Sequence, residues 1–77
     1  MWRKEDNKLC KDFLFKDFSE AFAFMTQVAM IAEKHDHHPN WTNIYNKVTI
    51  QLCTHQANNS ITDKDYKLAQ AIDKLIK

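Results

Sequence analysis

Three of the four histidines, His35, His37 and His38, fall within Glu33-Lys-His-Asp-His-His-Pro39, and the fourth, His55, closes Leu52-Cys-Thr-His55. Imidazole titrates near neutral pH and is also the commonest metal ligand, so such a cluster suggests either a metal site or an acid/base pocket. Spacing separates the two. A helical zinc site takes ligands at i and i+4, and catalytic zinc needs three protein ligands beside an open position. The residue four before His37 is Glu33, and no His-Glu-x-x-His or paired-cysteine spacing is present. We therefore expect no metal and no other cofactor, and proton transfer by imidazole itself. Pro39 disfavours helical geometry at His38. The chain should run extended there, so that His37 and His38 diverge into different surroundings.

Other residues have two readings each. Glu33 can be a solvated last-turn residue or a neighbour of the cluster. Asp65 stands at the third position of a second helix, where a carboxylate is expected for capping alone. Trp41 and Tyr45 can be sheet-packing aromatics.

The elements that must position these groups are legible from turns and periodicity. Glycine is absent, so Asp6-Asn7, Asn46-Lys47 and Asn58-Asn59-Ser60 are the expected turning points, because Asn and Asp tolerate the left-handed region. Trp2 to Glu5 and Lys8 to Phe15 read as a hairpin through the first. Asp17-Phe-Ser-Glu20 has the spacing of a capping box. The helix it opens should pack Phe18, Ala21, Phe22, Met25, Val28, Ala29 and Ala32 on a sheet, with Phe24 and Ile31 beside that face. The apolar arc is then about half the circumference, at roughly 100° per residue, more than one sheet covers easily. Trp41 to Tyr45 and Val48 to His55 read as strands joined at Asn46-Lys47, with His55 ending a strand on its polar side. Thr62-Asp-Lys-Asp65 starts a closing helix with the stripe Leu68, Ala69, Ile72, Leu75 and Ile76. The order β-β-α-β-β-α favours an α+β layer, a four-stranded antiparallel sheet with the helices packed on one face. One domain over residues 1–77 is expected.

Composition narrows the partners. A chain of 77 residues with formal charge +1 carries no footprint for nucleic acid. Its polar opening offers no leader, and no apolar run approaches the roughly 18 residues of a membrane span. Cys10 and Cys53 form no disulfide framework and suggest reduced thiols in the cytoplasm. So small a chain has a limited core, which makes burial against a second copy an expectation.

Glu33-x3-His37-His38-Pro39-x5-Tyr45-x9-His55-x9-Asp65 resembles the signature of the pterin-4a-carbinolamine dehydratases. The likeness extends through Trp2, Phe13-x-Phe15-x-x-Phe18, Val48, Leu52-x-Thr54-His55, Ile61-Thr62 and Leu68-Ala69-x-x-Ile72-Asp73, nearly the whole chain. It implies the same α+β fold, and an enzyme that dehydrates a 4a-hydroxytetrahydropterin to the quinonoid dihydropterin in tetrahydrobiopterin recycling. By the resemblance His37 and His55 carry the acid/base work and His38 binds the pterin and assists proton transfer. Glu33, Pro39, Trp41 and Asp65 line or support the pocket, and His35 is left out. The expected assembly is a homodimer or homotetramer. An alternative is a non-catalytic dimerisation or interaction module, since some members partner a homeodomain transcription factor. Members usually carry a further helix before the segment matching Trp2, an element not found in these 77 residues, and a glycine where this chain has Asn59-Ser60. The loop between His55 and Asp65 is therefore expected to differ.

Overall fold

Among the described residues six take positive φ, and none is glycine: Asp6, Asn7, Asp36, Tyr45, Asn58 and Asn59. They mark where the chain reverses. In the computed structural model, which describes residues 1–76, the elements are β1 (Arg3–Glu5), β2 (Lys8–Leu14), α1 (Phe18–His35), β3 (Asn40–Ile44), β4 (Lys47–Leu52), a 3-10 turn (His55–Ala57) and α2 (Asp63–Asp73). The domain expected over 1–77 ends on Lys77, which lies outside the described residues. The four strands form one antiparallel sheet in the order β1-β2-β4-β3. The α+β layer and the order β-β-α-β-β-α are as expected.

Register puts Leu9 opposite Leu52 and Phe13 opposite Val48, so these residues share a face with Ile50 and, across the next pair, Trp41. Both helices cover that face. Ala21, Phe24 and Val28 of α1 and Leu68, Ala69 and Ile72 of α2 join the strand residues in one buried core. Lys11, which interrupts the apolar face of β2, is explained by its reach. Its stem crosses Phe13, with Nζ 5.0 Å from the ring centroid, and the ammonium meets Asp73 at 2.9 Å. The indole N–H of Trp2 donates to the same carboxylate at 3.1 Å, tying the chain's opening to α2. Cys10, on the opposite sheet face, is buried, and that burial pushes its thiol pKa up.

Four expectations need correction. The buried stripe of α1 is Ala21, Phe24, Val28 and Ala32. Phe18 and Phe22, expected on the sheet, are 48% and 57% exposed, and Ala29 is exposed as well. The helix is rotated about 60° from the expected orientation, at roughly 100° per residue. Periodicity could not fix this because the apolar arc is wider than the contact. Small Ala21 and Ala32 let the helix approach the sheet, while Phe24 fills the space beside Phe13 and Phe15 at centroid separations of 4.8 and 4.9 Å. Second, the β3–β4 turn is Tyr45-Asn46 rather than Asn46-Lys47, because Lys47 already pairs with Ile44. Third, β4 stops at Leu52, so His55 lies in the 3-10 turn and not on a strand. The closing helix also ends at Asp73, leaving Leu75 and Ile76 beyond it.

Tyr45 holds φ 51°, a region that costs a non-glycine residue about 1 kcal/mol or more. Asn43 steadies the turn, its amide donating to the carbonyls of Tyr45 and Lys47. Since the Tyr45 side chain is exposed, Tyr45→Asn should stabilise the fold by about 0.5 kcal/mol, seen as a raised urea midpoint at unchanged slope. A lowered midpoint would show that the ring contributes more than its backbone costs.

Candidate functional site

Asp36, not Pro39, turns the chain at the end of α1. It adopts the left-handed conformation, with φ 51° and ψ 42°, and its N–H reaches the carbonyls of Ala32 and Glu33. The next N–H, of His37, also returns to Ala32. This reversal carries the His37 side chain inward, where it is 7% exposed, and leaves His38 outside.

The two neighbours consequently meet different carboxylates. His37 Nε2 lies 2.6 Å from Oδ1 of Asp65, which is wholly buried. His38 Nε2 lies 2.8 Å from Oε1 of exposed Glu33, one turn back on α1. The expected divergence of His37 and His38 is present, and both of the carboxylates singled out in the sequence are histidine partners.

Asp65 is also the capping residue its position suggested. Its Oδ2 accepts from the Thr62 N–H at 2.8 Å, while the Thr62 side chain caps the first turn of α2. Oδ2 accepts a second hydrogen bond, from the Thr54 hydroxyl at 2.9 Å. One oxygen therefore holds the helix start and the other holds a histidine.

With a carboxylate oxygen as partner, Nε2 of His37 takes the donor role, which leaves Nδ1 as an acceptor in the neutral ring. Nδ1 makes no hydrogen bond among the described residues, and no buried polar side-chain atom there lacks a partner. Nδ1 therefore faces the open side, a cleft of about 140 Å³ lined by Asp36, His37, His38, Cys53, His55 and Gln56. Its opposite wall follows the end of β4. Thr54 bridges to Ser60 through its N–H at 2.8 Å, closing a small loop that carries exposed His55 and Gln56.

The cleft thus gathers all three histidines expected to act. Glu33 and Asp65 stand behind two of them. Trp41 does not line it, being partly buried against the core on the helix side of β3, and Pro39 is partly buried between His38 and β3 without forming a wall. His35 is exposed and outside the cleft. Tyr45 sits at the far end of the sheet. Cys53, Gln56 and Thr54 were not singled out as site residues; adjacency to His55 was the signal available for them. A larger groove, about 530 Å³, lies toward the Tyr45 end among Phe13, Phe15, Phe24 and Leu75 and contains no histidine. Among the described residues no group of three or more His, Cys, Asp or Glu side chains is arranged to hold a metal ion.

Residues 1–75 match the family model described as pterin 4 alpha carbinolamine dehydratase. The chain belongs to this family. Two curated relatives are provisionally named pterin-4-alpha-carbinolamine dehydratase. The one from Synechococcus sp. (strain WH7803) is 53% identical over 74 residues, covering 96% of this chain and 78% of its own length. The one from Prochlorococcus marinus (strain NATL2A) is 55% identical over 75 residues, covering 97% and 78%. Among solved structures, a transcriptional coactivator/pterin dehydratase from Brucella melitensis superposes with a TM-score of 0.91 at 45% identity, covering 99% of this chain and 82% of that one. A pterin dehydratase-like protein described as a RuBisCO assembly factor in the alpha-carboxysome superposes at 0.81 with 25% identity, covering 96% and 87%. The fold therefore serves proteins described by more than one role.

Proposed function

We propose that this pterin dehydratase family chain removes water from a 4a-hydroxytetrahydropterin to give the quinonoid dihydropterin, using imidazole as acid and base. The observation that carries this reading is the cleft itself. It places His37, His38 and His55 around one opening, with His37 anchored by a buried carboxylate. Dehydration requires a proton delivered to the 4a-hydroxyl as its C–O bond breaks, and a proton removed from the pterin ring system. His37, presenting Nδ1, suits the removal, and His55 on the facing wall suits the delivery. His38, braced by Glu33, is placed to bind the pterin and assist proton transfer. The cleft is smaller than the roughly 300 Å³ at the low end of ligand pockets, so it would receive the reacting edge of the bicycle rather than all of it.

Purified protein should accelerate loss of the 4a-hydroxyl in a hydroxypterin assay. His37→Ala and His55→Ala should each lower kcat/KM by about a hundredfold or more. No acceleration by the parent, or variants indistinguishable from it, would overturn the reading.

The exposed stripe of α1 supports a homo-oligomer, dimer or tetramer, as the working form. Phe18 and Phe22 stack with centroids 5.8 Å apart on the side of the helix turned from the core. The same stripe also suits the alternative of an interaction module, and the assembly-factor relative favours that reading for the scaffold. Retention of the three histidines favours the enzyme here. Phe24 is core, so Phe22 is the residue to test: Phe22→Glu should lower the mass by light scattering without loss of helical signal, and an unchanged mass would rule out this surface. Among the described residues no helix is long and apolar enough to cross a membrane. The free thiols of Cys10 and Cys53 fit the cytoplasm as the setting for this chemistry.

A further inference from the structure

The hydrogen bonds behind His37 form a directed chain. Thr54 donates its only hydroxyl proton to Oδ2 of Asp65 at 2.9 Å. Its oxygen lies 2.6 Å from the Thr62 hydroxyl. With the Thr54 proton committed, Thr62 must be the donor in that contact. The Thr62 oxygen in turn accepts from the Lys64 N–H at 3.3 Å, in the first turn of α2. Every donor in the chain therefore points toward Asp65, beginning at a helix N-terminus, and this reinforces Asp65 as acceptor toward His37.

Thr54 has a second connection. Its main-chain N–H and carbonyl bond Ser60 and Ala57, closing the loop that carries His55. One residue is thus linked to His37 through its side chain and to the His55 wall through its backbone. Thr54 itself is 4% exposed and does not line the cleft.

We propose that Thr54 is a positioning residue: its hydroxyl holds Oδ2 of Asp65 so that Oδ1 stays set against the His37 Nε2–H, with Nδ1 turned to the cleft, while its backbone sets His55 against it. The consequence for turnover rests on the dehydratase reading; the consequence for the His37 ring does not. The groups that share the cleft with His37 are Asp36 and His38 from its own segment and Cys53 and His55 from the facing wall, with Asp65 behind it from α2.

Thr54→Val keeps the branched shape and removes the hydroxyl, and Thr54→Ser keeps the hydroxyl. Kinetics with the hydroxypterin and nitrogen-15 histidine spectra are recorded on the full chain for both. For Thr54→Val, kcat should fall about tenfold with KM within about twofold, and Thr54→Ser should recover to within about threefold of the parent. The parent and Thr54→Val spectra should both show His37 protonated on Nε2, because the Asp65 carboxylate remains its acceptor, and Thr54→Val should shift the His37 ring-nitrogen signals as that contact loosens. An unchanged kcat together with an unchanged His37 spectrum in Thr54→Val would overturn the proposal. If the parent has no dehydratase activity, the dehydratase reading fails and the spectra still decide this one. If Thr54→Val does not fold, Thr54→Ala is measured in its place: unchanged kcat with an unchanged His37 spectrum overturns the proposal, and a lowered kcat with shifted His37 ring-nitrogen signals supports it.

Discussion

A carboxylate with no solvent exposure must find its hydrogen bonds inside the protein, and Asp65 finds them from three parts of the chain. The N–H of Thr62 comes from the start of α2, the hydroxyl of Thr54 from the end of β4, and the imidazole of His37 from the turn after α1. Leaving any of these donors unpaired in so buried a place would cost about 1–3 kcal/mol. The junction of the two helices and the sheet end is therefore constrained by one side chain. Because His37 is among its partners, the constraint that organises the fold at this end also orients the ring in the cleft.

The rest of the architecture is arranged so that this end can be open. The core is filled from the middle of the sheet to the Tyr45 end by Phe13, Phe24, Val28, Val48, Ile50 and Leu68. Asp73, Trp2 and Lys11 close the edge of the sheet at β1. At the His37 end, the hydrogen bonds of Asp65, Thr54 and His37 join the apolar packing of Leu52 and Ala32, and the chain reverses through Asp36 and Asn58, both left-handed without glycine. The result is polar side chains held by neighbouring elements beside open space.

Much of this was legible in the sequence because it rests on local rules. Asp17-Phe-Ser-Glu20 and Thr62-Asp-Lys-Asp65 announced both helix starts, and the Asp17 carboxylate does accept the Glu20 N–H. Asp6-Asn7 and Asn58-Asn59 announced turns that take positive φ. The divergence of His37 and His38 followed from Pro39, although the residue that turns the chain is Asp36. What the sequence left open concerns contacts between distant segments. The face of α1 could not be chosen from a half-apolar helix. A turn centred on Tyr45 defies the preference for Asn at left-handed positions. Trp41, which the resemblance implies as a pocket residue, packs on the core instead. Thr54 sits beside His55 in sequence, and only the fold shows its hydroxyl directed at Asp65, 11 residues on.

The contact between Asp65 Oδ1 and His37 Nε2 sets how His37 presents its ring. Asp65→Asn tests it most directly, because the amide oxygen can still accept from Thr62 and Thr54 while its NH2 group faces His37 Nε2 as a donor and forces the proton onto Nδ1. This variant should keep its circular dichroism spectrum and lose about a hundredfold or more in kcat for hydroxypterin dehydration. A folded Asp65→Asn protein with kcat within about threefold of the parent would contradict it.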